Sequence, residues 1–161
     1  VKRDTPSPRK TTTQEKKLMK KAVFAFASAL GLAAPALAED VPTLVTILSS
    51  DEPQTQLMSM VLTMQSIQQG SNAHVLLCGP AGDLALKEAP ASATAPQEPR
   101  GVSPQGLMQN IMESGAKVEV CALYLPNKGV GADALLDGVT AAKPNEMAAR
   151  MLAPNTRIMS Q

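Results

Sequence analysis

The chain has 161 residues, 44% of them hydrophobic but only 2% aromatic, with 18% charged residues, 13 prolines, 9 methionines, 2 cysteines and a formal net charge of +1. This is the size of one domain plus a segment outside it, and it excludes a disordered chain, a collagen and a disulfide-framework mini-protein, since apolar content is ordinary and two cysteines make no framework. Residues 1–38 carry eight Lys/Arg against two Asp/Glu, a balance of +6, whereas residues 39–161 carry seven against twelve, a balance of −5. That acidic part argues against a nucleic-acid partner, which needs clustered Lys or Arg.

Residues 1–18 are polar and lack periodicity. They read as a miscalled or disordered extension, with translation expected to begin at Met19. Met19-Lys20-Lys21, the apolar run Ala22–Leu32 and Ala33-Ala34-Pro35-Ala36-Leu37-Ala38 follow in the order of a secretory signal. The run is too short for the ~20 residues of a bilayer span. The expectation is cleavage after Ala38 and a periplasmic product with no membrane contact thereafter.

One domain is expected over residues 39–161. Thr43–Leu48 (TLVTIL) suits a strand buried on both faces. Ser49-Ser50-Asp51-Glu52-Pro53 supplies a cap and an early proline, so Asp51-Glu52 reads as a helix cap rather than an acid/base pair. Leu57, Met60, Val61, Met64 and Ile67 then recur at helical spacing up to Gly70. His74–Cys78 is a second strand, Gly79-Pro80-Ala81-Gly82 a turn, and Asp83–Lys87 a short helical piece.

The four prolines at 90, 96, 99 and 104 make residues 88–104 a surface loop. Ser103-Pro104 opens a helix with Leu107, Met108, Ile111 and Met112 on one face, ended by Gly115. Lys117–Leu125 (KVEVCALYL) reads as a third strand and Pro126–Gly131 as a loop. Ala132–Leu136 reads as a short helix, Val139–Ala142 as a weak strand, Pro144–Leu152 as the last helix and Thr156–Ser160 as a closing strand. The order βαβαβαβαβ favours a mainly parallel five-stranded sheet covered on both faces.

Gly115-Ala116-Lys117-Val118-Glu119-Val120-Cys121, then Gly129-Val130 and Leu135-Leu136-x-Gly138-Val139, resemble the DsrE/DsrF family of sulfur-relay proteins, which includes the TusD-type subunits. His74-Val75-Leu76-Leu77-Cys78-Gly79 with Asp83-Leu84-Ala85 is similar to that family's second strand and turn. The resemblance implies a three-layer α/β/α domain and a homo-oligomer, trimer or hexamer. It also implies that Cys121 aligns with a cysteine that accepts sulfur as a persulfide, from a sulfur donor and for an acceptor that the sequence does not identify. The characterised relays are cytoplasmic, and the long loop at 88–104 departs from the family pattern.

Sulfur transfer needs an accessible thiolate. Cys121 falls toward the carboxyl side of its expected strand, where open α/β sheets place ligand crevices. The apolar run Ala122–Leu125 equally suits an inert buried cysteine. If the second and third strands are neighbours, their ~4.8 Å spacing brings Cys78 within disulfide range of Cys121. A structural disulfide, a redox-active pair, and a persulfide site with Cys78 as resolving thiol all remain open, as does a non-catalytic oligomeric module.

A third possibility is a soft-metal carrier, because an exported, methionine-rich chain could bind Cu(I). Met60/Met64, Met108/Met112 and Met147/Met151 are each four apart on helices, however, where Met is ordinary core filler and no metal is expected. His74 is the only histidine and reads as structural. No nucleotide-binding glycine motif appears, so no cofactor is expected.

Overall fold

The computed structural model describes residues 41–161, so the extension, the signal segment and its cleavage position lie outside the described residues. Strand β1, Thr43–Leu48, coincides with the expected strand. Its Val45, Thr46 and Leu48 are fully buried because it is flanked on both sides. The sheet order is β4-β3-β2-β1-β5, with every pairing parallel.

Helix α1, Pro53–Gln68, opens at Glu52, whose carboxylate accepts from the backbone N–H groups of Gln54 at 3.0 Å and Thr55 at 2.6 Å. Of the acidic pair it is Glu52 that caps, with Pro53 in the first turn, where no N–H is missed. The sheet-facing side of α1 differs from expectation. Gln56, Ser59 and Thr63 are buried beside Met60, while Leu57 and Val61 are half-buried and Met58 and Leu62 are exposed. Small polar side chains let the helix sit close to β1, where the buried Thr46 and Thr63 hydroxyls hydrogen-bond at 2.7 Å.

Strand β2, Asn72–Leu77, begins two residues before His74 and ends one before Cys78. The helical piece expected at Asp83–Lys87 is a 3-10 helix over Gly79–Ala85, because Pro80 already suits a first turn. Residues 88–104 are mostly exposed, as a surface loop requires. They also contain helix α2, Ala91–Thr94, with buried Ala93, and an antiparallel bridge between Gln97 and Val102.

Helix α3, Pro104–Glu113, is capped by the Ser103 hydroxyl, which accepts from the Gly106 N–H at 3.1 Å. Strand β3 spans only Lys117–Val120, not 117–125. The chain turns at Cys121 and forms helix α4, Tyr124–Lys128, inside what read as the end of a strand and a loop. Pro126 sits in the first turn of α4 and Gly129 ends it with φ 75°, a left-handed conformation that glycine adopts at little cost. A 3-10 turn, Ala132–Ala134, replaces the expected helix at 132–136, and β4 is the two-residue strand Thr140–Ala141.

Helix α5, Pro144–Met151, and strand β5, Thr156–Ser160, close the chain. Because β4 and β5 occupy opposite edges, α5 must carry the chain back across the sheet, on the face away from α1 and α3. The result is the expected three-layer α/β/α sandwich with a five-stranded parallel sheet. Alternate residues feed its two cores. Leu48, Val75, Leu77, Val118 and Val120 meet Met60, Met108 and Ile111 on one face, and Val45, Leu76 and Ala142 meet Met147 on the other. Met60, Met108 and Met147 are thus core filler.

Candidate functional site

Cys78 and Cys121 follow β2 and β3 directly. Leu77 and Val120 are register partners, so the two cysteines form the next rung at the carboxyl ends of the strands. Their amides extend the ladder, Cys78 N–H donating to the Leu48 carbonyl and Cys121 N–H to the Leu77 carbonyl, each at 2.8 Å. The Cα atoms lie 5.0 Å apart and the side chains form a disulfide across 43 residues. The pair is bonded, a state common to a structural disulfide and a redox-active pair and one that a resolving Cys78 also reaches. Both cysteines are half-buried, neither sealed in the core nor fully exposed.

The disulfide lines a cleft of about 570 Å³ together with Gly79, Pro80, Asp83, Leu123, Tyr124, Asn127 and Lys128. The 3-10 helix supplies Asp83, and α4 supplies Tyr124 and Lys128. The Tyr124 hydroxyl donates to Asp83 Oδ1 at 2.7 Å, and the Lys128 ammonium donates to both carboxylate oxygens at 2.7 and 2.9 Å. Burial, then the hydrogen bond to Asp83 and its charge, push the Tyr124 phenol well above its ordinary range, so it stays protonated. Any Cβ on Gly82 would collide with the Tyr124 ring, so this position packs α4 against the 3-10 helix. Leu123 stands 73% exposed beside the cysteines and gives the cleft an apolar lip.

Nothing in the sequence singles out Asp83, Tyr124 and Lys128 as site residues. They converge only because α4 replaces the end of the expected third strand. His74 lies at the amino end of β2, away from the cysteines, so no imidazole can serve them as a base. Among the described residues, no group of three or more His, Cys, Asp or Glu gathers as a metal site, and no helix is long and apolar enough to cross a membrane.

His74 is buried, with Nε2 2.8 Å from Glu119 Oε2. This is not an aligned hydrogen bond, since neither ring nitrogen has a hydrogen-bond partner among the described residues, and it becomes an ion pair only when the imidazole is protonated. Burial, then the Arg150 charge, hold His74 below the usual imidazole range, against the upward pull of Glu119. Burial pushes Glu119 upward, but its 2.7 Å ion pair with Lys117 and the His74 contact outweigh this and leave it below the usual carboxylate range.

Both shifts give the same sign for stability. A histidine harder to protonate when folded costs nothing above the unfolded value near 6.5, and destabilises as pH falls from there toward the folded value. Glu119 stabilises above its unfolded value and loses this contribution at lower pH still. The melting temperature should therefore fall between pH 7 and 5, and His74→Gln should flatten that slope. An equal slope in wild type and variant would contradict the assignment to His74.

An all-parallel α/β/α domain with a cysteine pair lining a cleft at the carboxyl ends of its strands is the class that this fold and site define. No family model and no curated protein matches the chain. Solved structures do share its fold. A protein of unknown function from Methanobacterium thermoautotrophicum is 13% identical, with a TM-score of 0.56 over 76% of this chain and 100% of its own. The ychN protein from E. coli is 16% identical, with a TM-score of 0.56 over 75% of this chain and 100% of its own. A conserved protein of unknown function from Bacteroides thetaiotaomicron is 18% identical, with a TM-score of 0.56 over 74% of this chain and 95% of its own. At these identities the likeness is one of fold, and it matches the DsrE-like sandwich expected from the sequence.

Proposed function

We propose that this chain is a DsrE-type protein that accepts and releases sulfane sulfur through its cysteine pair. The observation that carries the reading is the placement of Cys78 and Cys121 within bonding distance on the wall of the carboxyl-end cleft. In the reduced protein, the Cys121 thiolate attacks the outer sulfur of a donor persulfide. A new S–S bond forms at Cys121, and the donor leaves as its thiolate. The Cys78 thiolate then attacks the Cys121 sulfur, expelling hydrosulfide and forming the Cys78–Cys121 disulfide. A dithiol reductant returns the pair to thiols and is itself oxidised to a disulfide.

Assignment of the acceptor role to Cys121 follows the family resemblance, as does the homo-oligomer. Export after cleavage at Ala38 belongs to the same proposal and supplies the oxidising compartment in which such a disulfide persists. Cys121→Ser, with the fold verified by circular dichroism, should take up no sulfur from a persulfide donor and release no hydrosulfide. Uptake equal to wild type would remove Cys121 from the path.

The second reading is a non-catalytic α/β module whose disulfide is structural. It is favoured by the direct covalent tie between neighbouring strands. A pair that resists dithiol reduction in the folded protein would support this reading and oppose the first.

A further inference from the structure

At the end of the sheet opposite the cysteines, the amino ends of β1, β2 and β3 enclose a cavity of about 260 Å³ lined by Thr43, Asn72, His74, Gly115, Lys117 and Arg150. Three observations make it more than a gap between strands. His74 is 1% exposed, yet its Nδ1 has no hydrogen-bond partner among the described residues. Arg150 Nε is likewise buried without one, and no carboxylate among the described residues forms an ion pair with Arg150. Lys117 is already neutralised by Glu119 at 2.7 Å. The cavity therefore holds one uncompensated guanidinium and one idle imidazole nitrogen. Buried polar groups are otherwise nearly always satisfied, by protein, water or an ion.

We propose that this cavity is a binding site for a small monocarboxylate, with Arg150 as its charge partner and His74 Nδ1 as a second polar contact. One unpaired guanidinium calls for one negative charge, and its planar fork matches a carboxylate. The imidazole nitrogen suits a hydroxyl beside that carboxylate, since a hydroxyl both donates and accepts. Two sources supply the carboxylate: a free hydroxy acid, which brings the hydroxyl as well, or the chain's own Glu39-Asp40 pair, which precedes Thr43 by only a few residues in sequence and brings carboxylates alone.

Because His74 is the only histidine, its ring signals in a heteronuclear NMR spectrum report this cavity alone. Titration with glycolate should move them saturably, whereas the neutral analogue glycolamide should not. Arg150→Gln should weaken the glycolate response at least about tenfold, the scale of a lost charge-assisted hydrogen bond. Arg150→Lys, which keeps the charge and loses the fork, should fall between and serves if Arg150→Gln does not fold. A saturable response in Glu39→Gln/Asp40→Asn but not in wild type would uphold carboxylate recognition and make the chain itself the source. No saturable shift in either protein, or an equal shift in the folded Arg150 variants, would overturn the site.

Discussion

Cys78→Ser, reduced and then exposed to a persulfide donor, is expected to retain a ~32 Da sulfur adduct on Cys121, whereas wild type retains none. The difference arises in the second step of the proposed path. In wild type the Cys78 thiol sits opposite on the same rung, with its Cα 5.0 Å from that of Cys121, and on the proposed path it expels the outer sulfur as hydrosulfide. Serine keeps the shape of the site but cannot make an S–S bond, so the persulfide has no intramolecular exit. Intact mass spectrometry with and without a dithiol reads the outcome, since the adduct must vanish on reduction. Retention of the adduct by wild type as well would remove Cys78 from the resolving role.

The second large effect is on stability. The disulfide spans 43 residues, and in the chain-entropy treatment a link of that length stabilises by about 4 kcal/mol by constraining the unfolded chain. Cys78→Ser/Cys121→Ser should lose roughly that amount in denaturant unfolding, in the same range as wild type in reductant. The native sheet should persist in both, because the amides of residues 78 and 121 still donate to the carbonyls of Leu48 and Leu77. A midpoint equal in non-reduced wild type and in Cys78→Ser/Cys121→Ser would show that the pair is not bonded in solution. If the sulfur cycle operates, the reduced working state is the less stable one, and each hydrosulfide release restores the tie.

The alternation of apolar strands with capped, periodic helices was enough to reach the fold. Thr43–Leu48 and Thr156–Ser160 match their strands end to end, and Ser103-Pro104 opens α3 as their chemistry requires. The expectation fails in KVEVCALYL, where a continuous apolar run carries no period that separates strand from helix. Pro126 and Gly129 were the available signals that a helix follows Cys121, since a proline suits its first turn and a glycine its end. The buried face of α1 was misread for a different reason: close packing on β1 selected Thr63 and Ser59 over the more apolar Leu57 and Val61.

Of the cleft, the cysteine pair was legible because neighbouring parallel strands fix the distance between residues that follow them. Asp83 and Tyr124 were not, because their 2.7 Å contact joins residues 41 apart through a helix that the sequence reading lacked. His74 presents the same difficulty. Its burial against Glu119 and Arg150 depends on strand register and on α5 crossing the sheet, neither of which a lone histidine reveals.

The central claim is that the cysteine pair turns over sulfane sulfur. Its most direct measurement is hydrosulfide released per chain when the reduced protein meets one equivalent of a persulfide donor. The expected result is one hydrosulfide per chain, with the Cys78–Cys121 disulfide formed in equal amount. Thiols left free and no hydrosulfide above the Cys121→Ser background would contradict it and leave the disulfide a structural tie.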